Sequence, residues 1–416
     1  MKEKRILFFF LLLFFNYLHA QKKCFTSFYE QQELRNDPSL AEKINSVEGF
    51  AKSQINSGSY RLTGSSAIIK IPVVVHVLYH SPSENVSDEQ VRSQIDALNR
   101  DFRRVAADTI KTPSIFKSLA ADCEIEFQLA ISDPQRRSTT GIIHKYTPIN
   151  YWDSDDKMKF SSEMGDDAWD AKSYLNIWVC NLDQVVGYSS VPGGADNKDG
   201  VVIRYEVFGA IGATAGYNMG RTAVHEVGHW LNLKHLWGDK DCGDDLVDDT
   251  PKQSTYNQGC PSVARISCGN GPNGDMFMNY MDFVNDECMN LFTNGQKERM
   301  RSLFVPGGVR NSILSSTGLS TPLIFEIPLP DQSPKWLHPQ LYPNPTASGM
   351  TLDLSYDIRW LGKTLRVINM QGQVVMQVLI TSKTQKIDVS NLYAGLYILK
   401  AKKEDGDFIE QKFIKF

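Results

Sequence analysis

Residues His225–His235 read HEVGHWLNLKH, three histidines and a glutamate in eleven positions of a chain with eight histidines in all. On a helix, His225 and His229 stand four apart, so both imidazoles leave one face and can share a metal ion. Glu226 lies beside them, where its carboxylate can meet a water on the ion without ligating the ion. Zinc in catalytic sites takes three protein ligands and leaves the fourth position to water, and His235 is the candidate third. A helix continued to residue 235 would carry that side chain around the axis and about 9 Å along it. The chain must therefore leave the helix near residue 232 and turn back. Such a turn needs a positive φ, which asparagine accepts at a cost of about 1 kcal/mol or less, so Asn232 is read as the turning residue. His76 and His80 share the four-residue spacing but fall in IKIPVVVHVLY, a β-branched run read as a strand. Strand positions four apart are about 13 Å from each other, which makes this pair structural.

Around this stretch the chain is ordinary for a globular protein. It has 416 residues, 42% hydrophobic and 22% charged, with a net charge of −4. That length implies more than one domain. The scattered charge gives no case for nucleic acid or an anionic membrane surface. The N-terminus combines MKEKR with the apolar run ILFFFLLLFF and a small residue at Ala20, the pattern of a secretory signal over 1–20. Export places the seven cysteines in an oxidising compartment, where disulfides outweigh thiolate metal sites.

A polar, weakly helical leader is expected over 21–61, leaning on something else. The segment SDEQVRSQIDALNRDFRRV opens with a capping box, Ser87 with Gln90, and repeats Val91, Ile95, Leu98, Phe102 and Val105 at helical spacing. CEIEFQLAI, YLNIWVC and GVVIRYE read as strands, and TNGQKERMRSLF as a helix with a box at Thr293 and Gln296. Helices and strands thus mix across 62–317, an α/β (α+β) domain with a mixed twisted sheet. Prolines mark 318–338 as a linker, and the short alternating strands of 339–416 predict a separate small all-β sandwich. Strand Gly200–Glu206 is where an extended substrate is expected to pair edge-on.

The zinc stretch, together with GDMFMNYMDFVNDECMNLFTNGQKERM downstream, resembles the pappalysin family of metzincin zinc endopeptidases, in particular its secreted bacterial members. The resemblance runs from about residue 68 to 305. It implies His225, His229 and His235 as zinc ligands, Glu226 as general base and Met281 as the methionine beneath the metal. It implies disulfides Cys242–Cys268 and Cys260–Cys288. Cys123 and Cys180 are then either a further pair or buried thiols. Asp286 matches a family aspartate at the bottom of the S1′ pocket that selects arginine or lysine. The run CGDDLVDDTP matches a calcium-binding loop, with Asp245 and Thr250 as oxygen ligands. One departure stands out: Phe283 replaces a family tyrosine whose hydroxyl helps hold the tetrahedral intermediate. Loss of such a donor costs on the order of 3 kcal/mol, about a hundredfold in rate.

By the same resemblance Cys24 falls where family leaders place a zinc-ligating latency residue. The Tyr60–Arg61 bond lies where the leader ends and has arginine in P1′, so self-cleavage is expected there. The tail, with LYPNPT, NLYAGLYIL and KFIKF, resembles the C-terminal sorting domains of the type IX secretion system. The chain is thus expected to be a monomeric, exported zinc endopeptidase, latent when made. Its partners would be peptide substrates, its own propeptide and the outer-membrane secretion machinery. A secreted zinc-containing binding protein or weak pseudoenzyme is the alternative that Phe283 raises.

Overall fold

The computed structural model describes residues 23–58, 68–325, 338–403 and 408–416. The signal peptide expected over 1–20 and the Tyr60–Arg61 bond lie outside the described residues.

The first sheet is built from β1 (Lys23–Cys24), β2 (Ile69–Tyr79), β3 (Ile125–Leu129), β4 (Ile142–Tyr146), β5 (Leu175–Cys180), β6 (Val185–Ser189) and β7 (Val201–Arg204). Their order is β1-β6-β7-β5-β2-β3, with β4 pairing the second half of β2. All neighbours are parallel except β6 and β7. Strands covered on both faces have no reason to alternate with polar residues, which explains the unbroken apolar runs. Val73, Val75 and Val77 of β2 enter the core with Ile177 and Val179 of β5, and Leu78 and Trp178 face the other side. His76 is buried on that second face, between Asp166 (2.6 Å) and Asn176 (3.2 Å).

This topology corrects one expectation. β7 is an inner strand, flanked by β5 and β6, and offers no free edge. The edge beside the histidine stretch belongs to β6, and the leader strand β1 occupies it.

Two leader helices follow β1: α1 (Thr26–Asn36) and α2 (Leu40–Ser57). Then come α3 (Asp88–Phe102), α4 (Arg221–Trp230) and α5 (Asn294–Ser302). α3 opens where Ser87 accepts from the Gln90 N–H, and α5 carries a full capping box between Thr293 and Gln296. Val105 lies past the end of α3 and is exposed, so the apolar stripe stops at Phe102. The leader leans on the main body through α2, whose Glu48 meets Arg299 of α5 at 2.6 Å.

Cys242 joins Cys268 and Cys260 joins Cys288. With loops of 26 and 28 residues, each bridge contributes roughly 3–4 kcal/mol in the chain-entropy model. Cys123 and Cys180 are buried thiols, held in separate apolar clusters. The linker begins later than its prolines indicate. Gly318 accepts from Ile131 and Ser132, and Leu323 and Ile324 donate to the Arg136 carbonyl, so the chain is tied down through residue 324.

The C-terminal unit is the expected sandwich. One sheet has the order β11 (Val374–Leu379), β10 (Thr364–Asn369), β13 (Gly395–Lys402), β14 (Phe408–Lys415). The other runs β12 (Thr384–Asp388), β9 (Gly349–Asp353), β8 (Gln340–Tyr342). Leu352, Leu365, Val367, Leu399 and Phe413 fill the space between them.

α4 is buried along its whole length, and it packs so closely on the segment behind it that Gly228 has no room for a side chain. A Cβ there would stand 2.6 Å from the Met281 Sδ. Replacing a helical glycine by alanine ordinarily gains about 1 kcal/mol, and overpacking costs about 1–3 kcal/mol. Gly228→Ala is therefore expected to lower the melting temperature, and Gly228→Ala with Met281→Ala to recover part of the loss. A melting temperature raised by the single change would show that Met281 yields freely.

Candidate metal centre and substrate cleft

α4 ends at Trp230, and Asn232 takes φ +71°. The Leu233 N–H then bonds back to the Gly228 carbonyl at 2.9 Å, and Arg299 holds the Asn232 carbonyl at 2.6 Å. This left-handed step reverses the chain and returns His235 to the face that carries His225 and His229. The three Nε2 atoms lie 3.1–3.2 Å from one another.

Each ring directs its other nitrogen to an acceptor. His225 Nδ1 meets the Tyr280 carbonyl at 2.7 Å, His229 Nδ1 the Leu233 carbonyl at 2.9 Å, and His235 Nδ1 the Asp239 carboxylate at 2.6 Å. With the protons on Nδ1, three bare lone pairs converge on one point. Burial, followed by the neighbouring His235, pushes His225 down to about 3, and burial drives His229 down as well. These are neutral imidazoles. A tetrahedral zinc with bonds of about 2.05 Å sets its nitrogens roughly 3.3 Å apart, so this cluster fits zinc. Cys24 Sγ stands 3.6 Å from His229 Nε2, where a fourth ligand belongs.

Glu226 sits at the edge of the cluster, fully buried, and burial raises its carboxyl to about 7. Its Oε2 accepts from the Thr26 hydroxyl at 2.8 Å and faces Cys24 Sγ at 3.5 Å. Its Oε1 is buried with no hydrogen-bond partner among the described residues. Thr26 Oγ1 in turn accepts from the Ser189 N–H at 2.9 Å. The leader thus lies along β6, with Cys24 opposite Gly187. A Cβ on Gly187 would stand 2.8 Å from the Val202 carbonyl and 3.2 Å from Glu226 Cγ, so glycine is what lets β6 pack this close to β7 and α4.

Met281 lies beneath α4, and Phe283 contributes an apolar wall. Its ring lies 5.5 Å from His225, 5.0 Å from His235, 5.0 Å from Trp237 and 5.2 Å from Tyr256. Next to His225 and Glu226 opens a pocket lined by Val186, Tyr217, Val284 and Met289, with Asp286 buried in it. Asp286 Oδ2 accepts from the Met219 and Arg221 N–H groups at 2.8 and 3.1 Å. Burial raises this carboxyl to about 6. Arg221 stands close, but its guanidinium is engaged by Asp101, Asp108 and the Asp286 carbonyl rather than its carboxylate.

Asp245 and Thr250 meet in a buried turn, with Thr250 Oγ1 2.8 Å from Asp245 Oδ2. Burial pushes Asp245 up to about 7. Three contributors went unread in the sequence. Thr26 and Gly187 lie far from the histidines in sequence, and the only signal for Asp239 was a carboxylate four residues past His235.

Residues 159–305 match the family model described as pregnancy-associated plasma protein-A, and residues 340–415 match the secretion system C-terminal sorting domain. An extracellular metalloprotease of Verticillium alfalfae is 32% identical over 251 residues, 57% of this chain and 76% of that protein. One from Aspergillus oryzae is 29% identical over 274 residues, 61% of this chain and 83% of its own. Among solved structures, mature mirolysin of Tannerella forsythia with a cleaved peptide has a TM-score of 0.59 and 49% identity, covering 60% of this chain and 97% of that one. A promirolysin mutant from the same organism reaches 0.65 at 45% identity, covering 71% and 97%. The chain belongs to the pappalysin family of metzincin zinc metalloendopeptidases and is a secreted enzyme with a type IX sorting domain at its C-terminal end.

Proposed function

We propose that this enzyme is made latent and, once its leader is removed, cuts peptide bonds before arginine or lysine. One observation carries the reading: Asp286 is a buried carboxylate in the pocket beside His225 and Glu226, and among the described residues its backbone donors, Met219 and Arg221, both reach one oxygen, Oδ2. An incoming guanidinium or ammonium finds a charge-assisted partner there. His225, His229 and His235 would hold zinc, which would supply Lewis-acid polarisation of the scissile carbonyl and lower the pKa of a bound water. Glu226 takes the proton of the attacking water and hands it to the leaving amine. The extended substrate takes the β6 edge that β1 now fills, on the strand that Gly187 lets pack close to Glu226.

In the latent chain, residues 21–61 form the propeptide of a catalytic domain spanning 62–317, followed by the linker and the sorting domain at 339–416. Cys24 fills the open metal position, and Thr26 occupies the proton acceptor of Glu226. Cleavage at Tyr60–Arg61 frees the leader. Asp245 and Thr250, with backbone carbonyls, would hold a structural calcium that balances the charge of Asp245 once it is ionised.

Peptides carrying a single arginine, lysine, leucine or glutamate are expected to be cut before the basic residues, as read by mass spectrometry. Glu226→Ala removes about 10²–10⁴-fold of the rate. Asp286→Asn lowers the arginine-over-leucine ratio of kcat/KM by roughly 10- to 150-fold, the worth of a hydrogen bond to a charged group. Because Asp286 releases its proton only above about 6, the preference for arginine falls as pH drops through that value. Folded, zinc-loaded protein that cuts without regard to the basic residue would overturn the assignment.

Cys24→Ala and Thr26→Val are each expected to speed conversion of the precursor to a form beginning at Arg61, and the double change to speed it further. A precursor that matures at the wild-type rate in all three variants sinks the leader reading. For calcium, a carboxyl that holds its proton more tightly when folded stabilises the fold only while protonated. The metal-free protein then loses stability as pH rises from about 4 to 7, the range between the ordinary carboxyl value and that of Asp245. Calcium should raise the melting temperature more above about pH 7 than below about pH 5, and Asp245→Asn should abolish the difference. Equal shifts at both pH values count against the site.

A further inference from the structure

The three imidazoles are not held alike. His225 and His229 rest their Nδ1 atoms on main-chain carbonyls, of Tyr280 and Leu233. His235 rests its Nδ1 on the carboxylate of Asp239, at 2.6 Å, the shortest of the three contacts. His235 is also the ligand with the weakest built-in support, because it stands beyond the end of α4 on the returning chain. Its ring is gripped in two ways. Trp237 stacks on the face, with centroids 4.3 Å apart and planes 5° from parallel. Asp239 pins the ring's rotation at the edge.

The backbone gives up something for this grip. Asp239 has φ +57°, a left-handed conformation that costs a residue with a side chain roughly 1–2 kcal/mol. The Gly238 N–H bonds to the His235 carbonyl at 2.8 Å and folds Asp239 back towards the ring. The leader touches the same pair, since Ser27 Oγ lies 3.3 Å from His235 Nδ1. The Asp239 side chain remains 35% exposed, yet its carboxylate stays 2.6 Å from a buried imidazole at the cost of that left-handed conformation.

We infer that Asp239 is a positioning residue for the metal: it fixes the His235 tautomer with Nε2 bare and strengthens that nitrogen as a donor to zinc. A carboxylate behind a ligand histidine does this more strongly than a neutral carbonyl, and losing such a partner weakens metal binding roughly 10- to 100-fold. The inference rests on the reading of His235 as a zinc ligand, and its test separates the two.

Zinc affinity of the full chain is measured by competition with a chromophoric chelator for the wild type, His235→Ala, Asp239→Ala and Asp239→Asn. The same proteins loaded with cobalt(II) give visible spectra. His235→Ala should lose tight binding. Asp239→Ala should weaken it roughly 10- to 100-fold, and Asp239→Asn, which keeps the side-chain shape, should weaken it less while shifting the cobalt bands. If Asp239→Ala fails to fold, the asparagine variant and its spectrum decide. Wild-type affinity and bands in both Asp239 variants, with binding lost in His235→Ala, overturn the role of Asp239 alone. Wild-type affinity in His235→Ala overturns the ligand reading and this inference with it.

Discussion

Three unprotonated imidazole nitrogens within 3.2 Å of one another are an arrangement that a buried protein interior does not tolerate without a cation. Their lone pairs repel, and none has a hydrogen to offer a neighbour. Everything nearby enforces that convergence. The left-handed step at Asn232 reverses the chain, and carbonyls and a carboxylate occupy each outer nitrogen. Met281 fills the space under α4, and Phe283 and Trp237 close the apolar side. The left-handed step and the burial of three imidazoles both cost stability, which a bound metal would offset.

The leader exploits the same geometry from outside. It enters as a strand on the exposed edge of β6, puts Cys24 against the metal position, and bridges Ser189 and Glu226 with the Thr26 hydroxyl. The β6 edge, the histidine cluster and Glu226 are all covered by four consecutive residues. The two helices that follow secure it at a distance, where Glu48 grips Arg299, which in turn holds the Asn232 carbonyl. The anchor of the leader and the turn that makes the metal site therefore share one guanidinium.

What could be read from the sequence was local. HEVGHWLNLKH contains a helix, its stop and its metal spacing within eleven residues, and the capping residues Ser87 and Thr293 sit where helices start. The apolar runs named β2 and β5, and the tail declared its sandwich by alternation. Strand order was not legible, because β6 and β7 are both short and apolar and only the antiparallel pairing between them decides which is the edge. The fates of Cys123 and Cys180 depended on which face of the sheet each meets. Thr26 and Gly187 acquire meaning only when the leader is laid beside β6.

Both disulfides fall between the metal helix and α5, and one ends at Cys288, two residues past Asp286. The wall that carries Asp286 is thus covalently laced to the loop around Cys260. Thiols pair lastingly only outside the reducing cytosol. No disulfide falls within the histidine stretch, whereas the wall around Asp286 takes its covalent form only where oxidant is present. In a secreted enzyme that condition is met outside the cytosol, so reduction would loosen the wall around Asp286 before it touched the histidines.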